Sequence, residues 1–168
     1  MSPPSKCFAH ALGGAALLSL ALAASPVHAQ RADGGPFAGL AGSWSGGGAI
    51  SLAGGGSERI RCRATYAVGG GGGTLQMTLR CASDSYNFNV VSNVASEGGA
   101  ISGSWTETSR NASGSVSGRV SGGQIQARVT GPAFTANMGI ATRGNSQSVG
   151  IRASGGEVTG VDVTLSRR

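Results

Sequence analysis

From residue 42 onward, hydrophobic residues recur at every second position. In 59–68, Ile60, Cys62, Ala64, Tyr66 and Val68 alternate with Arg59, Arg61, Arg63 and Thr65. In 75–81, Leu75, Met77, Leu79 and Cys81 alternate with Gln76, Thr78 and Arg80. A period of two places one face of a strand on a core and the other in water. Folding the two segments into a hairpin with its tip at 69–74 pairs Val68 with Leu75, Tyr66 with Met77 and Ala64 with Leu79. The same register sets Cys62 opposite Cys81. Directly opposed residues of an antiparallel ladder lie about 4.5–5.5 Å apart at Cα, within the span of a disulfide. The glycines 69–73 then form a tip of unrestricted torsions, and the cystine fixes the register from the far end.

The remaining segments pair in the same way. Trp44, Gly46, Gly48, Ile50 and Leu52 are set against Val68, Tyr66, Ala64, Cys62 and Ile60. Cys81, Leu79 and Met77 meet Tyr86, Phe88 and Val90, and Val94 to Phe88 meet Ile101 to Glu107. Trp105 falls opposite Gly114, Val120 opposite Ile125, Val129 opposite Phe134 and Ile140 opposite Val149. The last hairpin loses phase after Val158, which predicts a bulge at Gly160. Tyr66 over Gly46 and Trp105 over Gly114 are aromatic covers for weak glycine sites. No apolar helical spacing follows the first 29 residues. The pattern predicts an all-β, up-and-down antiparallel meander of about eight to ten strands, closed as a barrel in preference to a two-sheet sandwich.

The first 29 residues read differently. Lys6 precedes an apolar run, Ala9 to Ala24, that is short and broken by glycines, and Pro26 and Val27-His28-Ala29 follow. This is the pattern of an export leader cleaved after Ala29, which predicts a periplasmic or secreted protein with no transmembrane helix left after cleavage. The expected organisation is a leader at 1–29, a flexible segment at 30–41 and one barrel domain at 42–168. Cleavage removes Cys7, Lys6 and both histidines, leaving an even pair of cysteines in an oxidising setting. Twelve arginines then face seven acids, with arginine as the sole side-chain cation. Which face lies inside separates two classes of protein. With apolar residues inward, the barrel is soluble; with apolar residues outward, it is an outer-membrane barrel. Cys62, Cys81, Glu107 and several glycines make a poor lipid-facing band, which favours the soluble form.

A chain without histidine or lysine offers no Ser-His or Cys-His dyad, no imidazole metal site and no Schiff base. Glu107 stands alone on the inner face, so no pair of carboxylates converges for general acid–base work. No catalytic residue, metal site or cofactor is expected, and the chain reads as a non-enzyme. The glycine runs precede no helix and hold no phosphate-loop pattern. On the outer face the hairpin brings Arg63 opposite Arg80 with Arg61 beside them, and sets Arg59 opposite Asp84. Like charges directly opposed destabilise a ladder. The patch is either a solvated surface that repels other strands or a seat for an anionic envelope component. No outward aromatics interleave with it to stack bases, so nucleic acid is not an expected partner.

Gly42-Ser43-Trp44, opening the first strand, resembles the Gly-x-Trp signature of lipocalins and the wider calycin barrels. That resemblance implies a cup holding a small apolar ligand. It also implies an arginine near the end of the last strand, Arg167 or Arg168, packed on Trp44. Trp44, Tyr66, Met77, Tyr86, Phe88, Trp105 and Phe134 are the candidate lining. The Thr-Asp-Tyr element and C-terminal helix of lipocalins are absent. The chain also resembles small exported glycine-rich β-proteins of Gram-negative bacteria. The expected function is an exported binder of a small apolar ligand or an anionic envelope component, with a surface role in the outer membrane as the alternative.

Overall fold

A computed structural model of the chain describes residues 34–168. The predicted leader, 1–29, lies outside them. Ten strands follow in order: β1 (Gly42–Leu52), β2 (Ser57–Gly69), β3 (Thr74–Ala82), β4 (Asn87–Glu97), β5 (Ala100–Glu107), β6 (Ala112–Ser121), β7 (Gln124–Thr130), β8 (Thr135–Arg143), β9 (Ser146–Ser154) and β10 (Val158–Arg167). Each pairs antiparallel with the next, and β10 returns to β1, closing the ring. The expected all-β up-and-down barrel is the fold. Its apolar face points inward: Trp44, Ile50, Ile60, Cys62, Trp105 and Leu165 are all buried in one core. Among the described residues, no helix is long and apolar enough to cross a membrane.

The pairings β2–β3, β5–β6, β6–β7 and β8–β9 fall in the predicted register, with Cys62 opposite Cys81, Trp105 opposite Gly114, Val120 opposite Ile125 and Ile140 opposite Val149. Cys62 and Cys81 are joined, their Cα atoms 4.1 Å apart. A bridge closing a loop of this length stabilises by about 3 kcal/mol. Four pairings differ, each by an even number of residues, so no side chain changes face. Trp44 meets Ala64 rather than Val68, because a turn over 53–56 with Gly55 at φ +84° lets the β1–β2 ladder run down to Ser51 and Ser57. This removes Tyr66 from Gly46, whose partner is Cys62. Glu97 meets Ala100 across Gly98-Gly99, both at positive φ, the two-residue turn that matches strand twist. Cys81 meets Phe88 and Val129 meets Ala136, which leaves Tyr86 and Phe134 in the turns beyond the ladders. Asp84 likewise sits in a turn, unpaired with Arg59, because β3 ends at Ala82. The bulge expected at Gly160 in the last hairpin falls one residue earlier and on the other ladder. Ser51 pairs Gly160 but Leu52 pairs Val158, leaving Thr159 extra against β1, while β9–β10 pairs without a shift from Gly160 onward.

Glycines set the cross-section. A Cβ built on Gly46, Gly48, Gly103, Gly114 or Gly118 would lie 2.0, 1.9, 2.1, 1.8 or 2.1 Å from a neighbouring strand's carbonyl oxygen. These positions are in β1 and in the adjacent β5 and β6, on opposite sides of a ring of ten. Across β1, β2 and β10 come within 8 Å, closer than the two strand spacings, about 9.5 Å, of a flat sheet. The barrel bends sharply at β1, where inward side chains are missing, and the inward glycines of β5 and β6 stand across the ring from it, so that two walls, β2–β5 and β7–β10, face each other.

The segment expected to be flexible, 30–41, is described from Gly34, and there it is seated against the barrel. Gly35 donates to Gly71 O (2.7 Å) and Phe37 to Gly72 O (3.0 Å). Phe37 is fully buried and Leu40 nearly so. The glycine tip between β2 and β3 is a cradle as well as a turn. A Cβ on Gly72 would lie 2.4 Å from Gly35 N, so the two backbones pass in contact only because both residues are glycine.

Candidate functional site: an open mouth above a closed floor

The turns 69–74, 97–100, 121–124 and 143–146 lie at one end of the barrel, and the seated N-terminal segment fills it. Trp44 Nε1 donates to Leu40 O at 2.8 Å, fixing the plug to β1. The Arg167 guanidinium lies 4.4 Å from the centre of the Trp44 ring and donates to the Ala41 and Gly39 carbonyls. Of the two arginines that the Gly-x-Trp resemblance pointed to, Arg167 is the one stacked on the tryptophan. Tyr66 OH donates to Gln147 Oε1 (2.8 Å), whose Nε2 donates to Thr142 Oγ1 (3.1 Å). Burial of the phenol pushes its pKa up to about 12, with the Gln147 bond acting in the opposite sense. Trp44 and Tyr66 therefore belong to a sealed floor.

The other end is open. Met77, Leu79, Phe88 and Val90 face inward from β3 and β4, and Met138 and Ile151 face them from β8 and β9. All six are half-buried although they point into the barrel. Their partial exposure outlines an apolar slot at the end formed by the turns 82–87, 107–112, 130–135 and 154–158. Two aromatic pairs flank its entrance. Tyr86 and Phe88 have parallel rings 6.3 Å apart. Trp105 and Phe134 meet at 5.5 Å and 43°, and Trp105 Nε1 donates to Thr130 O at 3.1 Å. The seven candidate lining residues thus divide, with Met77 and the four mouth aromatics together and Trp44 and Tyr66 apart. Leu79, Val90, Met138 and Ile151 were not among the candidates. Their inward parity was readable from the alternation, but aromatic size drew the choice.

Glu107 is buried at the rim and does structural work there. One carboxylate oxygen accepts from Asn89 N (2.9 Å) and the other from Arg110 N (2.6 Å), with the Arg110 guanidinium 3.7 Å away. Burial raises its pKa, but the bonds from the Asn89 and Arg110 backbones and from Ser109 outweigh that and hold it below the usual glutamate value. A lowered native pKa contributes stability that is fully present above the unfolded value and lost as pH falls through the native one. Glu107→Gln should therefore lower the urea midpoint at neutral pH by the equivalent of about 1.5–3 kcal/mol. The variant should also lose less stability than the parent between about pH 5 and 3. Arg110 completes the rim, 5.7 Å over the Phe88 ring and bonded to Asn87 O at 2.8 Å. Opposite it, Tyr86 OH donates to Glu157 at 3.3 Å.

Two grooves lie outside the slot. One, of about 430 Å³, crosses the outer wall over Gly47, Gly139 and Gly150, where outward side chains are lacking. The other, of about 380 Å³, runs beside the plug between Leu40, Val120, Ile125 and Arg167. The arginine candidates stand on the outer wall: Arg63 pairs Arg80 and Arg61 is adjacent along β2, all exposed. Among the described residues, no group of three or more His, Cys, Asp and Glu is placed to hold a metal.

No family model and no curated protein matches the chain. Among solved structures it is similar to an S-type phycobiliprotein lyase from Guillardia theta, with a TM-score of 0.59 and 10% identity. The match covers 79% of this chain and 90% of that one. The likeness is one of fold, a closed antiparallel up-and-down barrel of calycin-like architecture. It also corrects the expectation that the chain is not an enzyme. That expectation rested on missing imidazoles, amines and carboxylate pairs. A neighbour with this fold is titled a lyase, and a cup can accelerate a reaction by orienting what it holds.

Proposed function

We propose that this chain is an exported, lipocalin-like protein that binds a small, largely apolar ligand in the slot between its two walls. The observation that carries this reading is the band of inward-facing residues that stay half-buried, Met77, Leu79, Phe88 and Val90 against Met138 and Ile151. Fully packed interiors leave no such band. Methionines on both walls adapt to irregular ligand shapes. Flat rings at the entrance offer stacking faces, and Arg110 and Glu157 offer polar contacts at the rim. The pattern of the first 29 residues supports export, as does the paired Cys62–Cys81 bridge. The inward apolar face and the outward Ser, Thr and Arg support a soluble, periplasmic or secreted protein of a Gram-negative envelope over an outer-membrane barrel.

Tryptophan emission tests the site, because the two indoles report on opposite ends. Titration with a panel of hydrophobic ligands, including planar aromatic and fatty-acid probes, should shift or quench the emission of the parent. Trp44→Phe should keep the response and Trp105→Phe should lose it. A response that follows Trp44 instead places binding at the floor, and silence across the panel removes the proposal.

A further inference from the structure

We propose that the outer wall of β2 and β3 is a docking surface for an anionic lipid bilayer, held through Arg59, Arg61, Arg63, Arg80 and Arg168. The structure adds Arg168 to the residues read from the alternation. Arg80 and Arg63 are direct partners, Arg63 pairs Ser45 on its other side, and Arg168 Nε donates to Ser45 Oγ. One row across three strands therefore carries three guanidinium groups. Arg61 and Arg59 continue the array down β2 at intervals of about 6.6 Å. All five are exposed. Among the described residues, the ion pairs are Arg110–Glu107 and Arg152–Asp162. The carboxylate in the cross-strand row of Arg59 is Asp162, two strands away beyond Ala49 and held by Arg152 at 3.0 Å.

Opposed arginines destabilise a ladder, and a common reason to keep them is to stop an open sheet edge from pairing with another chain. That reason does not apply here, because β1 is bonded to β10 and the ring has no edge. An uncompensated cationic array on a closed barrel is accounted for by an anionic partner. The shape of the wall selects the partner. Neighbouring outward residues are short or uncharged, Ser45, Gly47 and Ala49 on β1 and Gln76 and Thr78 on β3, so the guanidinium groups stand highest on the β2–β3 surface, and the groove over Gly47 lies beside it toward β8 and β9. They can meet several lipid phosphates at once, with bidentate bonds that lysine would not form. Nothing there stacks or grips a nucleic-acid strand.

Co-sedimentation of the purified protein with phosphatidylcholine vesicles, with and without about 30% phosphatidylglycerol, tests the proposal. Binding should need the anionic lipid at about 50 mM salt and fail at about 500 mM. Each arginine near such a surface contributes roughly fivefold, so Arg61→Ser/Arg63→Ser/Arg80→Ser should weaken binding roughly a hundredfold. Arg119→Ser/Arg128→Ser, on β6 and β7 across the ring, should leave binding within about twofold of the parent. Arg61→Lys/Arg63→Lys/Arg80→Lys should still bind, which separates lost charge from lost folding. Parent protein indifferent to phosphatidylglycerol, a Ser triple that binds as well as the parent, or equal loss from the β6–β7 variant would overturn the proposal. So would equal competition by a short DNA duplex acting through the same three arginines.

Discussion

Gly114→Ala should leave little native barrel. The added Cβ would lie 1.8 Å from Thr130 O and 2.7 Å from Trp105 Nε1. Those two atoms are themselves bonded at 3.1 Å, so the glycine lies under a hydrogen bond that spans β5 to the end of β7. Room can come only from parting β6 from β7 beside Ser115 and Thr130, and the indole must lift as well. Parting the strands breaks ladder bonds. Lifting the indole abandons its bond and its contact with Phe134. Overpacking costs about 1–3 kcal/mol or more, and an orphaned buried polar group about 1–3 kcal/mol further. The expected loss of about 4 kcal/mol takes most of the margin of a domain this size. Gly54→Ala is the control. It sits in a turn with nothing within 4 Å of the new methyl, and its stability should stay within about 0.5 kcal/mol of the parent. Urea midpoints of the two variants, with near-UV circular dichroism, decide the matter. Equal midpoints would mean that β6 and β7 make room at Gly114 without cost.

The same glycine shows what a sequence reveals and what it withholds. Alternation assigns Gly114 to the inner face and pairs it with Trp105, and both hold. What alternation cannot state is that the crowded inner-face glycines gather on opposite sides of the ring, in β1 and in β5–β6, and that those of β1 mark a bend. That needs the closure between β1 and β10, a contact between residues more than a hundred positions apart in the chain. Register errors have a different origin. A period of two fixes which face a residue takes but is blind to a slide by two or four. Turn chemistry decides the slide, and here positive-φ glycines at 55 and 98–99 tightened turns that read as longer loops. Where the slide moved a turn one residue along the chain without changing its length, Tyr86 and Phe134 passed from strand positions to the rim.

The candidate site was legible in type and only partly in place. Large aromatic residues on the apolar face suggest a ligand cup, but Trp44 and Tyr66 fill its floor because bonds to Leu40 and Gln147 fix them there. The residues that leave the slot open are medium-sized, Leu79, Val90, Met138 and Ile151. Their significance lies in facing one another across the gap between walls, a relation that no pairwise register contains. Glu107 shows the converse. Its isolation on an apolar face singled it out, and the structure accounts for it by two backbone donors at a rim turn.

Phe37→Ala should open the floor. Its side chain has no exposed surface, and it sits in the same core cluster as Leu40, Trp44 and Leu165. Truncating a buried phenylalanine costs about 3–5 kcal/mol, the upper part applying where surroundings cannot collapse into the void. Collapse is hindered here, because the plug is tied at Gly35 and Phe37 to the glycine tip and at Leu40 to Trp44, so its backbone cannot sink inward without breaking those bonds. Water entering the void would reach the indole of Trp44 from below. The variant should therefore lower the urea midpoint by the equivalent of about 3 kcal/mol and red-shift emission in a Trp105→Phe background, where Trp44 alone reports. Ligand affinity at the mouth, measured under conditions where the variant remains folded, should change little, because the sealed floor and the open slot use different residues. A cost below about 1 kcal/mol would mean that the Tyr66–Gln147 bond and Arg167 close the barrel unaided. The segment before β1 would then be a passenger on the fold rather than the piece that makes it a one-ended cup.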